Sequence, residues 1–196
     1  MSARSDSEAA ISAILGPSRV WSRDEVMARP SPVPTTSGIY GWYFRAIPAT
    51  VPTNKCVRSD AFTLLYVGIA PGFPGSKGNL RRRIRTHFRP RRRSTLRRDL
   101  GCLLESSLAL QIELQSDGTS FYYGETELVL SEWMAANAFV AWAEHPEPWL
   151  VEKEIIQRTD LPLNINHNRR HPFCATLQAL RKDARLRAKA LAPAIS

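Results

Sequence analysis

The chain has 196 residues, 43% of them hydrophobic and five of them tryptophan, and its 27 Lys+Arg against 18 Asp+Glu give a net charge of +9. That length suits one domain with a core of useful size, and the apolar content excludes a disordered chain. No 18-residue apolar run is present for a membrane span, so no membrane partner is expected. In chain order, residues 1–35 read as a helical lead-in: Ser22 and Glu25 have the spacing of a capping box, and Pro30, Pro32 and Pro34 then break regular structure. Gly38 to Phe44 fits a strand with Tyr40, Trp42 and Phe44 on one face and Ile39 and Tyr43 on the other.

Residues 45–60 carry prolines and polar residues and look like an insertion in a hairpin, whose second strand is the apolar run Phe62 to Ile69. Gly72, Gly75 and Gly78 make a loop, after which Asn79 caps a helix over Leu80 to Phe88. In that helix Leu80, Ile84 and Phe88 share one side, with Arg83 and His87 beside it. A second helix starting at Ser94 places Leu96, Leu100, Leu103 and Leu104 in the core. Leu108 to Leu114 alternates as a strand does, Asp117-Gly118 is a hairpin turn, and Glu125 to Asn137 reads as a helix. Phe139 to Ala143 is a further strand, Pro148 opens a helix to about Arg158, and Leu177 to Leu191 is a basic helix. The mixture is α+β in one unit without internal repeats.

Ten arginines fall within residues 81–98: Arg81, Arg82, Arg83, Arg85, Arg89, Arg91, Arg92, Arg93, Arg97 and Arg98. A polyanion is the natural partner of such a block, and nucleic acid is the commonest. A solvated helix face is the plainer reading. Arg89 to Arg98 are expected to hold backbone phosphates without reading sequence, with Arg169 and Arg170 extending the surface. Cys56, Cys102 and Cys174 are odd in number and far apart, and the N-terminus leads into no apolar run, so a reducing cytoplasm is the expected location.

Glu152 stands on a helix face with Trp149, Ile155 and Ile156, where an acid needs a partner. A divalent cation would serve, as would an arginine of the same chain. Glu154 is spaced to pair with Arg158. Arg83 offers a planar phosphate clamp, and His87 one turn later can move a proton near neutral pH. Each also has a plainer role, as a general phosphate contact or a packed histidine. Tyr40 and Tyr66 alone are ordinary strand aromatics, Asn164 alone is a turn residue, and His167 and His171 lack the third ligand that a zinc site needs.

The ordered set is more specific than its parts. Gly38-Ile39-Tyr40 and Tyr66-Val67-Gly68, followed by Asn79-Leu80-Arg81-Arg82-Arg83, His87, Glu152 and Asn164, resembles the GIY-YIG nuclease family over roughly residues 36–172. The departures are valine at the centre of the second tripeptide and long stretches from Tyr40 to Tyr66 and from His87 to Glu152. The resemblance implies a small central mixed or antiparallel β-sheet flanked by helices. A helix-hairpin insertion at about 90–135 would lie inside the nuclease domain, and residues 173–196 would form a basic C-terminal helix. It implies a metal-dependent endonuclease acting on nucleic acid, DNA foremost, with Mg²⁺ as cofactor and Mn²⁺ as a substitute.

On that resemblance Tyr40 activates water, helped by His87 or by the metal, while Arg83 and Tyr66 hold the scissile phosphate. Glu152 holds the metal, and Asn164 orients neighbouring groups or the phosphate. A non-catalytic nucleic-acid-binding module of the same fold is the alternative, and a basic docking surface for an acidic protein or anionic lipid is a third reading. A homodimer stays open.

Overall fold

A computed structural model describes residues 3–90 and 94–191. Strand β1 (Gly38–Phe44) pairs antiparallel on one side with β3 (Phe62–Ala70) and on the other with β6 (Ala138–Glu144), and the short β2 (Arg58–Ser59) extends the sheet beyond β3. The four-stranded order is therefore β2-β3-β1-β6, antiparallel throughout, which settles the mixed-or-antiparallel alternative.

β1 is buried along its whole length because the sheet is covered on both faces. Tyr40, Trp42 and Phe44 enter one core with Leu80, Ile84 and Phe88 of α3 (Leu80–Phe88). Ile39 and Tyr43 enter the other with Ile11 and Ile14 of α1 (Ala3–Leu15) and Val151 and Ile155 of α6 (Pro148–Arg158). The period-two alternation of a strand thus sorts one heptapeptide between two cores. The lead-in is part of the packing: Ser22 and Glu25 form the expected capping box on α2 (Arg23–Met27), and Trp21 bridges to Val140 of β6.

Helix α3 has the expected bounds and is capped by the Asn79 side chain on the Arg82 N–H at 2.8 Å. α4 (Thr95–Leu104) is capped by Ser94, and its Leu96, Leu100 and Leu104 are buried, with Leu103 packed against the core. The predicted strand over Leu108 to Leu114 shrinks to β4 (Glu113–Leu114), paired with β5 (Phe121–Tyr122). The reason is local: the N–H groups of Leu108 and Leu110 are taken by the carbonyls of Leu104 and Glu105, and Ala109 turns at φ 49. Leu110 and Ile112 still point inward, so the alternation recorded burial without a ladder.

α5 (Glu127–Asn137) follows a 3₁₀ turn over Gly124–Thr126, and α7 (Phe173–Leu191) begins four residues before Leu177. α7 is tied to α4 by Arg181 on the fully buried Asp99, whose carboxyl burial pushes up to about 6 despite that pairing. No helix among the described residues is long and apolar enough to cross a membrane.

Candidate active site

Sheet geometry brings the two tyrosines together. In the β1–β3 register Tyr40 lies opposite Gly68 and Trp42 opposite Tyr66, so the tyrosines are diagonal neighbours on one face. The glycines of the two tripeptides have steric reasons. A Cβ on Gly68 would lie 2.4 Å from the Tyr40 hydroxyl, so only glycine lets the phenol cross the neighbouring strand. A Cβ on Gly38 would lie 2.2 Å from the Ala143 carbonyl oxygen and 2.7 Å from a Leu80 methyl, where β6 and α3 close on β1.

Tyr40 is fully buried at the back of a cleft of about 460 Å³ whose walls include Tyr66, Arg82, Arg83, Glu152 and Asn164. Arg83 donates from Nε to the Tyr40 hydroxyl at 3.2 Å and also hydrogen-bonds Tyr66. Burial raises the pKa of Tyr40 and raises that of Tyr66 well above 10, while the Arg83 charge pulls both back. Both are phenols at neutral pH.

His87 is placed differently from the expectation. It is fully buried behind Tyr40, outside the cleft wall, with Nε2 at 2.9 Å from the Tyr40 hydroxyl and Nδ1 at 2.8 Å from Ser94 Oγ. Ser94 Oγ also accepts the Arg97 N–H. His87 thus bridges Tyr40 and Ser94, donating at one ring nitrogen and accepting at the other. Burial, and then the charges of Arg83 and Arg97, hold its pKa well below 6.5. It is therefore a neutral imidazole at neutral pH. Its place is that of a post behind the tyrosine.

Glu152, on α6, also lines the cleft. It has no hydrogen bond or ion pair with the described residues, so the internal salt bridge weighed from the sequence is absent among them. Burial alone raises its pKa to about 7. Glu154 pairs with Arg158 as expected. Asn164 is bonded to neighbouring backbone: Oδ1 accepts the Val67 N–H at 2.8 Å and Nδ2 donates to the Val67 carbonyl at 2.9 Å. Both ends of the amide are committed to β3 between Tyr66 and Gly68, which holds the strand in place.

The arginine block divides. Arg82 and Arg89 are exposed, and Arg82 lies in the cleft. Arg81 donates to the Val33 carbonyl, and Arg85 donates to the carbonyls of Val26, Met27 and Ala28 at the end of α2, so both are anchored to backbone. Arg97 corrects the expectation outright: it is buried in an ion pair with Glu127 at 2.5 Å and also bonds Ser131, because α5 packs over this face of α4. Arg98 is half-buried beside Asp99 and Arg181, with its Nε lacking a partner among the described residues. The expectations for Arg91, Arg92 and Arg93 lie outside the described residues.

Arg169 and Arg170 are exposed in a groove that shares Asn166 and His167 with the cleft, and Arg89 lies in another that shares Asn79, Arg82 and Thr86 with it. His171 is held by Asp160 at 2.7 Å, and no metal-binding group of three or more His, Cys, Asp and Glu side chains occurs among the described residues. Sequence reasoning passed over Ser76 and Lys77, which also line the cleft. A lysine within the glycine-flanked loop before the Asn79 cap was the available signal.

Comparison with curated proteins found no match, and comparison with solved structures found none. Comparison with protein families matched the GIY-YIG catalytic domain over residues 38–183, from the first residue of β1 into α7. The chain belongs to the GIY-YIG catalytic-domain family, a family of nucleases.

Proposed function

We propose that this protein is a metal-dependent endonuclease that hydrolyses phosphodiester bonds in DNA. The observation that carries the reading is the cleft: Tyr40, Tyr66, Arg83 and Glu152, from two strands and two helices, converge on it. Two basic grooves share lining residues with it, one holding Arg89 and the other Arg169 and Arg170, which suits a polyanionic strand that extends beyond the cleft.

Glu152 fits a hard divalent cation. A half-buried carboxylate without a protein partner is compensated by such an ion, and Mg²⁺ commonly takes one or two carboxylates, with waters and substrate phosphate oxygens completing its shell. Mn²⁺ makes the same demands. When bound, the ion supplies Lewis acidity to the phosphate and its leaving oxygen.

The remaining roles belong to the chain. Arg83, with Nε on Tyr40, keeps its terminal nitrogens for Tyr66 and for the scissile phosphate, where two donors offset the charge of the transition state. Tyr40 is bonded to both Arg83 and His87, and the Arg83 cation favours its phenolate. Once the phenolic proton has left to solvent through the cleft, the phenolate takes a proton from the attacking water. Tyr66 holds a phosphate oxygen. His87 fixes the angle of the Tyr40 hydroxyl and does not itself meet substrate.

The test is incubation of supercoiled plasmid with Mg²⁺, wild type beside Glu152→Ala, with an EDTA control. Nicked or linear product from wild type alone, abolished by EDTA, is the expected result. Unchanged cutting by Glu152→Ala would remove this residue as the metal carboxylate, and DNA binding without scission of any nucleic acid would favour the binding-module reading.

A further inference from the structure

Phe73 is the one aromatic ring among the exposed large apolar side chains of the described residues, with 65% of its surface open. It lies in the loop between β3 and α3, whose Pro71, Gly72, Ser76 and Lys77 line the cleft. The loop does not leave the ring outside by slackness. Phe73-Pro74-Gly75-Ser76 is a closed turn, with the Ser76 N–H donating to the Phe73 carbonyl at 3.2 Å and Gly75 at φ +78. Proline at the second position and a positive-φ glycine at the third are what a type II turn demands. The ring is thus presented to solvent by a pre-set backbone beside the cleft, with the exposed Lys77 and Arg82 nearby in sequence for the backbone of the same strand.

We infer that Phe73 is a stacking platform for an unpaired nucleobase next to the scissile phosphate, which makes the preferred substrate single-stranded or locally unpaired DNA. The inference rests on the nuclease reading and deepens it. Within a duplex each base has its faces covered by neighbours, so a protein ring finds a free π-face only on an unpaired, flipped or terminal base. A rigid ring loses little freedom on stacking, and the adjacent cations supply the phosphate attraction that such strand-binding sites combine with aromatic platforms.

The experiment compares wild type with Phe73→Ala, Phe73→Leu and Phe73→Trp, binding fluorescein-labelled oligo(dT) and a blunt duplex of equal length in EDTA, so that no strand is cut. Thermal melts check folding of each variant. The Ala and Leu forms are expected to lose about tenfold in affinity for oligo(dT), as for one lost stack, and less than about twofold for the duplex. The Trp form is expected to retain binding, with its added indole emission quenched by oligo(dT). Equal losses on both DNAs, or no loss on either, overturn the inference while leaving the nuclease reading intact; the second result would mark the ring as a lone exposed residue or a protein contact. Wild type that binds neither DNA overturns this inference, while the plasmid assay decides the nuclease reading separately.

Discussion

Helices α3 and α4 begin with almost the same words and do different things with them. Leu80-Arg81-Arg82-Arg83 and Leu96-Arg97-Arg98-Asp99 each follow a side-chain cap, Asn79 on one and Ser94 on the other, and each sends its leucine into the same core. In α3 the arginines look outward: Arg82 and Arg83 reach the cleft, while Arg81 and Arg85 tie down the chain that precedes β1. In α4 they look inward, because α5 and α7 cover the helix: Arg97 is paired with Glu127, and Asp99 takes the place of a third arginine to receive Arg181. A run of like charges is therefore no measure of a charged surface. What lies opposite the helix face decides whether an arginine binds a ligand or a carboxylate of its own fold.

The comparison is broken most directly at Arg97. Arg97→Met leaves Glu127 buried without its cation and is expected to cost about 3–5 kcal/mol of stability, measured by urea denaturation, with Arg97→Met/Glu127→Leu recovering much of it. If the single variant kept its stability and lost only DNA affinity, α4 would belong to the nucleic-acid surface after all. Arg83→Lys is the counterpart in α3. A lysine cannot hold Tyr40 and the phosphate together, so the single-turnover cleavage rate is expected to fall about 10²–10³-fold, with the urea midpoint little changed. A rate within a few-fold of wild type would remove the arginine clamp.

His87 sits between the two helices, bonded to Tyr40 on one side and to the cap of α4 on the other. Its folded-state pKa is held below 6.5, chiefly by burial, so on acidification the unfolded chain takes up the proton first. Stability then falls as pH drops below about 6.5, by at most about 1.4 kcal/mol per pH unit for this one group, and the contribution is fully present above that pH. Urea midpoints from pH 7.5 to 5 are expected to show a shallower decline for His87→Gln than for wild type, and equal slopes would contradict a buried neutral imidazole. The smallest effect is expected from the exposed side of the block. Arg82→Ala/Arg89→Ala should leave stability within about 0.5 kcal/mol. It should also flatten the log–log salt dependence of DNA binding by about two phosphate contacts. A loss confined to one DNA sequence would instead assign these residues to base readout.

Much of this molecule could be read before it was folded. The strands Gly38–Phe44 and Phe62–Ala70, the α3 and α4 caps, the Pro148 start of α6 and the two-faced burial of β1 follow from patterns within a few residues: alternation, capping side chains and helix-entry proline. The ordered tripeptides with Arg83 and Glu152 pointed to the family, since motif order survives insertions of any length. What lay beyond the sequence was every question of what sits opposite what. Leu108 to Leu114 alternates, yet whether it became a ladder depended on the turn that α4 runs into. Asn164 and His87 belong to the motif, yet only the fold supplies their partners, Val67 for one and Tyr40 with Ser94 for the other. Arg97 and Arg82 are the same residue in the same local phrase, and burial against α5 separates them. Local propensity acts over a helical turn, whereas charge, protonation and access are set by neighbours that the chain brings from tens of residues away.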